Sequence, residues 1–208
     1  GVAAREAVIN TWLERRASRR ALVTESMTPA QRTRRNLEAM RIVERRAKSG
    51  IFLTARSASV DAMALFAQAG LPLDPVRIYE AVELRKIHEI KAAELASQRA
   101  TEENFVRLEE ILAASERRIA AGEPLAEEDR DFHLEIVRAT RNTVFYNVCG
   151  VYYAVGLRRL PIYFGDPNRC AQSHAEHLGI YDALRRRDGN LAQALMNAHL
   201  QGAESYWK

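Results

Sequence analysis

Over its second half the chain repeats apolar residues at three- and four-residue spacing, the period of helices buried on one face. Helix-compatible stretches run over 76–98, 102–121, 125–140, 143–164, 168–187 and 190–206. Short breaks separate them at Thr101, Gly122-Glu123-Pro124, Asn142, the Gly165–Asn168 turn and Asp188-Gly189-Asn190. Proline is absent from 76–123 and from 125–160, which favours long helices over many short strands. Six or seven antiparallel helices joined by short loops predict a bundle.

The front of the chain has a different grain. A helix over 3–17, with Val8, Trp12 and Leu13 on its apolar side, precedes a short one over 18–23. Thr28 and Pro29 then read as the N-cap and first position of a third helix, reaching about Met40. It carries Gln31, Arg32, Arg34, Arg35 and Asn36 but leaves only Leu37 and Met40 to pack, which is poor core material. Laid in a major groove, it would bring Gln31, Arg32 and Arg35 to base edges and phosphates. Two β-prone runs, 42–46 and 51–54, flank a tip in which Lys48 suits a phosphate contact and Gly50 a backbone kink. Three helices followed by a basic hairpin is the order of a winged helix-turn-helix. The fold class is therefore mainly α: a winged helix-turn-helix DNA-binding domain over 1–54, a linker helix and turn over 55–75, and an all-helical domain over 76–208.

Charge sharpens this division. Residues 1–60 hold 13 Lys/Arg against 5 Asp/Glu, whereas the remainder holds 18 against 22, so the net charge of +4 hides a basic front and a mildly acidic rear. Such asymmetry suits a front facing a polyanion such as double-stranded DNA, or else a solvated basic surface. The 2 cysteines, Cys149 and Cys170, exclude a disulfide scaffold and a Cys-rich zinc module. No apolar run reaches the ~20 residues of a membrane span and no secretory signal opens the chain, which gives the expectation of a cytoplasmic protein without a membrane partner.

The candidate chemistry lies in the helical half. Asp129 and His133, spaced i and i+4, fall inside the apolar arc formed by Leu125, Phe132, Ile136 and Val137. His177 shares a stripe with Ile180, Tyr181 and Leu184, and His199 with Leu195, Met196 and Tyr206. One carboxylate and three imidazoles aimed at a core need partners. A divalent metal would satisfy all four, while bonds to backbone or side-chain acceptors would satisfy each singly. His174, one turn before His177, is open as a substitute ligand, an outer partner or a surface residue; His88 reads as pocket lining or core. A metal-dependent hydrolase is the alternative function, although only Asp131 and Tyr152 stand near as possible acid–base groups.

The stretch from Glu83-Leu84-Arg85-Lys86-Ile87-His88-Glu89 to Thr101 resembles the first core helix of the FadR-type effector-binding (FCD) domain of GntR-family bacterial transcriptional regulators. The similarity continues at Asp129-Arg130-Asp131-Phe132-His133, where that family has D-x-x-F-H, and at His174-Ala175-Glu176-His177, ending near His199-Leu200. In the front half, Ser26-Met27-Thr28-Pro29 and Ser49-Gly50-Ile51-Phe52-Leu53 resemble the family's winged-helix core and wing. Met27 and Gln31 depart from the arginines usual there. The resemblance implies a homodimeric, nucleoid-associated regulator that binds operator DNA, most often a repressor. Its DNA contacts would come from Ser26, Thr28, Gln31, Arg32, Arg35, Lys48 and Gly50. It further implies a divalent ion on Asp129, His133, His177 and His199, with zinc first and nickel or manganese as alternatives. A small carboxylate effector would be held beside it by Arg85, with His88 and Tyr152 in the same pocket.

Overall fold

The computed structural model describes residues 27–39, 42–53, 63, 64, 68, 75–156 and 160–206, and the chain separates into two compact units, 1–59 and 60–208. The helices expected over 3–17 and 18–23, Ser26, and nearly all of the linker expected over 55–75 lie outside the described residues.

In the first unit, helix α1 (Pro29–Ala39) starts where the Thr-Pro signal places it. Thr28 Oγ1 accepts from the Gln31 N–H at 3.3 Å, and Gln31 Oε1 accepts from the Thr28 N–H at 2.8 Å. This reciprocal box satisfies two donors that a helix start leaves open. No described residue of α1 is buried, in keeping with its few apolar side chains. Strands β1 (Val43–Arg46) and β2 (Gly50–Leu53) pair antiparallel, Val43 opposite Leu53 and Arg46 opposite Gly50. The turn needs left-handed backbone at Lys48 (φ 60°) and again at Gly50 (φ 112°), the second of which suits glycine alone. The Arg46 guanidinium lies 4.7 Å from the Phe52 ring centroid and binds Glu44 at 2.7 Å, so it is occupied within the hairpin.

The second unit is an antiparallel helical assembly: α2 (Pro75–Arg99), α3 (Glu102–Ala121), α4 (Ala126–Ala139), α5 (Thr143–Gly156), the single turn α6 (Leu160–Tyr163), α7 (Pro167–Arg185) and α8 (Gly189–Tyr206). The mainly α architecture read from the sequence is the one observed. Among the described residues no helix is long and apolar enough to cross a membrane. Of the helix expected over 143–164, the described residues form α5 to Gly156 and the turn α6 from Leu160, and residues 157–159 lie outside them.

Small residues set the closest helix approach. Ala92, Ala93 and Ala96 of α2 are fully buried with Ala192 and Met196 of α8 in one core, which also holds Phe105, Leu108, Phe132, Ile136, Ile180 and Leu184. At the start of α8, a side chain on Gly189 would come within 2.8 Å of Ser97 Oγ, so a larger residue would push that hydroxyl off its 2.7 Å bond to the Glu94 carbonyl. Burying each large apolar side chain here contributes roughly 1.5–3 kcal/mol.

Helix ends follow local rules. Thr101 caps α3 through Asn104, whose own amide donates to Glu135 Oε1 at 2.8 Å and so ties α3 to α4. Gly122 closes α3 in left-handed conformation, and Asp166 with Pro167 opens α7. Thr101→Ala is expected to cost about 1 kcal/mol in urea unfolding of the full chain, because one helix-end donor loses its acceptor.

Candidate metal centre

Three helices bring the four polar residues together. On α4, Asp129 and His133 stand one turn apart on the buried side; α7 supplies His177 and α8 His199, all four buried. Each offers one ligand atom, and these atoms lie within 4.8 Å of one another. His133 Nε2 is 3.1 Å from His199 Nε2, which is 3.3 Å from His177 Nε2. Asp129 Oδ1 lies 3.5 Å from His177 Nε2 and 3.7 Å from His133 Nε2, and accepts from Ser173 Oγ at 3.4 Å. Ligands each about 2.1 Å from one ion are about 3.0–3.4 Å apart at octahedral or tetrahedral angles, so the nitrogen spacings match a shared ion.

The outer faces of two rings are also specified. His133 Nδ1 sits 2.8 Å from Glu89 Oε2, close enough to pair although off the ideal hydrogen-bond line. His199 Nδ1 sits 2.6 Å from Glu176 Oε2. A carboxylate facing Nδ1 favours the proton there and leaves Nε2 with a bare lone pair. Two such lone pairs 3.1 Å apart repel unless a cation lies between them. His177 is held neutral: burial first, then neighbouring His199 and His133, push its pKa well below the usual value. The donor set of three imidazoles and one carboxylate therefore fits a divalent ion, imidazole suiting zinc or nickel.

A second polar network backs the cluster. Arg85 donates from Nε to Glu89 Oε1 at 2.8 Å, and from Nη2 to Glu89 Oε2 at 3.3 Å and to Tyr153 OH at 2.9 Å. The Tyr153 hydroxyl donates to Glu89 Oε1 at 2.7 Å. Burial alone would raise the Glu89 pKa, but the charge of Arg85 and the His133 ring outweigh it and hold the carboxyl well below its ordinary range. Burial opposes the charge on Arg85, yet Glu89, Tyr153 and Asp129 together raise its pKa. Burial first pushes the Tyr153 pKa well up, so its hydroxyl remains a donor.

Of the residues expected to bind an effector, Arg85 is near enough to Asp129 to feel its charge, but its Nε and Nη2 are directed at Glu89 and Tyr153. His88 and Tyr152 pair with each other, Tyr152 OH lying 3.0 Å from His88 Nδ1, with the rings stacked at 5.7 Å. Of the two acid–base groups considered for a hydrolase, Tyr152 is engaged there and Asp131 binds Arg130 at 2.9 Å. His174 is not part of the four-residue cluster. Sequence reasoning passes over Glu89, Glu176 and Ser173. Glu89 follows Arg85 by one turn and Glu176 directly precedes His177, but only the assembled helices turn these carboxylates toward His133 and His199.

Among the residues expected at DNA, Gln31, Arg32 and Arg35 are exposed on α1, and Lys48 is exposed at the hairpin turn with Gly50 at the start of β2. Thr28 and the Gln31 side chain are engaged in the capping box, and Arg35 Nη1 approaches Met27 Sδ at 3.8 Å.

Residues 80–202 match the FCD domain. The chain is 27% identical over 173 residues to the HTH-type transcriptional regulator LutR of Bacillus subtilis (strain 168), spanning 81% of this chain and 78% of that one. It is 26% identical over 165 residues to the galactonate operon transcriptional repressor of Escherichia coli (strain K12), spanning 76% and 71%. The solved structure of Streptococcus agalactiae GntR superposes with a TM-score of 0.56 over 81% of this chain and 77% of that one, at 24% identity, a likeness of fold. The chain belongs to the FCD-domain family of GntR-type transcriptional regulators. Family and relatives alike are regulators of transcription, not enzymes.

Proposed function

We propose that this chain is a homodimeric repressor whose affinity for operator DNA responds to a small carboxylate bound at a divalent metal in the helical unit. The observation that carries the reading is the convergence of His133, His177 and His199 Nε2 with Asp129 Oδ1, two of the rings backed by carboxylates. Bound there, the ion would supply positive charge and, if five- or six-coordinate, positions for a carboxylate. Zinc is the first candidate; nickel and manganese, which favour six ligands, leave more room for an effector.

The effector's second anchor would be Arg85, with Nη1 directed to it while Nε and Nη2 stay on Glu89 and Tyr153. His88 and Tyr152 would line the same pocket. One relative is named for a galactonate operon, and galactonate is a carboxylate, which supports that ligand class. Because linkage is reciprocal, an effector that lowers operator affinity must itself bind less tightly to the DNA-bound form.

Operator contact is assigned to the exposed side of α1 and to the hairpin, through Thr28, Gln31, Arg32, Arg35, Lys48 and Gly50, together with Ser26. The test is selection of genomic fragments by the full chain, followed by fluorescence anisotropy of the best fragment against salt. The expected result is a short palindromic site whose affinity falls steeply with salt. Arg32→Ala or Arg35→Ala should flatten that dependence by about one unit of log–log slope for each phosphate left without its arginine. Weak, sequence-indifferent binding, or unchanged slopes in both variants, would remove α1 as the reader.

A further inference from the structure

Among the described residues, one buried carboxylate lies against the four-residue cluster without being part of it. Glu89 is 1% exposed, yet it belongs neither to the four candidate ligands nor to the residues expected at an effector. Its two oxygens are not equivalent. Oε1 receives Arg85 Nε at 2.8 Å and the Tyr153 hydroxyl at 2.7 Å; Oε2 receives Arg85 Nη2 at the longer 3.3 Å and faces His133 Nδ1 at 2.8 Å. The carboxylate is thus clamped on one side and turned to the histidine on the other.

We propose that Glu89 is a positioning residue for the metal centre, fixing His133 as the Nδ1–H tautomer so that its Nε2 lone pair faces Asp129, His177 and His199. The inference rests on the metal reading above. Arg85 and Tyr153 act through Glu89 by fixing its orientation, so Arg85 reaches the metal ligand without touching it. His199 has a counterpart in Glu176, which is partly exposed where Glu89 is enclosed, so the two rings are held with unequal firmness.

The clamp makes Glu89→Gln an incisive test. Two donors, Arg85 Nε and the Tyr153 hydroxyl, converge on the Oε1 position, so the amide oxygen of glutamine belongs there. The amide nitrogen then faces His133 Nδ1 and donates to it, which moves the ring proton to Nε2, the ligating atom. Long-range 1H–15N correlation spectra of the metal-free full chain read the tautomer directly. The wild type should show His133 and His199 protonated at Nδ1; Glu89→Gln should convert His133 to Nε2–H and leave His199 unchanged. Competition with a chromophoric chelator should show zinc affinity falling about 10–100-fold. A wild-type His133 protonated at Nε2, or zinc affinity within about twofold of wild type in a folded Glu89→Gln, would overturn the proposal. The wild-type spectrum needs no variant, so the proposal stays exposed to refutation even if Glu89→Gln fails to fold. A wild-type chain with the expected tautomers that binds neither zinc, nickel nor manganese would instead overturn the metal reading, and the role of Glu89 with it.

Discussion

Replacing Arg85 with methionine should destabilise the helical unit by about 3 kcal/mol, the low end of the range for removing one partner of a buried ion pair. Arg85 keeps 19% of its side chain exposed, but Glu89 keeps only 1%. The substitution therefore leaves a carboxylate enclosed in the bundle with Tyr153 and His133 as its remaining partners. Most of the cost is the penalty of that stranded charge, not the missing attraction. It follows that Arg85→Met combined with Glu89→Leu should recover only part of the stability: the stranded charge is gone, but the buried Tyr153 hydroxyl and His133 Nδ1 lose their acceptor. Chemical denaturation of the full chain measures both. A cost below about 1 kcal/mol for Arg85→Met alone would mean that the pair is no stronger than an exposed surface bridge. The double variant separates fold from function: part of the stability returns while zinc affinity stays low, because His133 no longer has the carboxylate that holds its proton at Nδ1.

Removing metal should have the larger thermal effect. An ion that binds only the folded chain, supplied at about 1,000 times its dissociation constant, stabilises by about 4 kcal/mol. For a chain of this size that corresponds to roughly 8–16 °C in Tm. Calorimetry should place the shift in the transition of the helical unit, since the ligands sit on α4, α7 and α8, and leave the first unit unmoved. His199→Ala should abolish the shift, remove metal from the purified chain and leave operator affinity in the absence of effector nearly intact. If His199→Ala instead unfolds the chain outright, the ion is a structural staple with a filled coordination shell, and effector sensing lies elsewhere.

The four-residue cluster is legible because helical periodicity places Asp129, His133, His177 and His199 among apolar neighbours, and a polar residue in an apolar arc must find a partner. Helix starts are legible for a similar local reason: Thr28-Pro29, Thr101 and Asp166-Pro167 carry the chemistry that a helix end requires. What escapes depends on relations between helices. Arg85 stands at the border of an arc, where a ligand-binding fork and an internal pair with Glu89 look the same along the chain. The crossing of α2 with α5, which brings Tyr153 to the same carboxylate, is invisible to periodicity.

The most direct test of the metal centre is X-ray absorption at the zinc edge of the zinc-loaded full chain, with metal content determined on the same sample. One zinc per chain, coordinated by three imidazole nitrogens and a carboxylate oxygen at about 2.0–2.2 Å, is the result that Asp129, His133, His177 and His199 predict. A sulfur neighbour at about 2.3 Å, which would implicate Cys149 or Cys170, or a shell with fewer than three imidazoles, would contradict it.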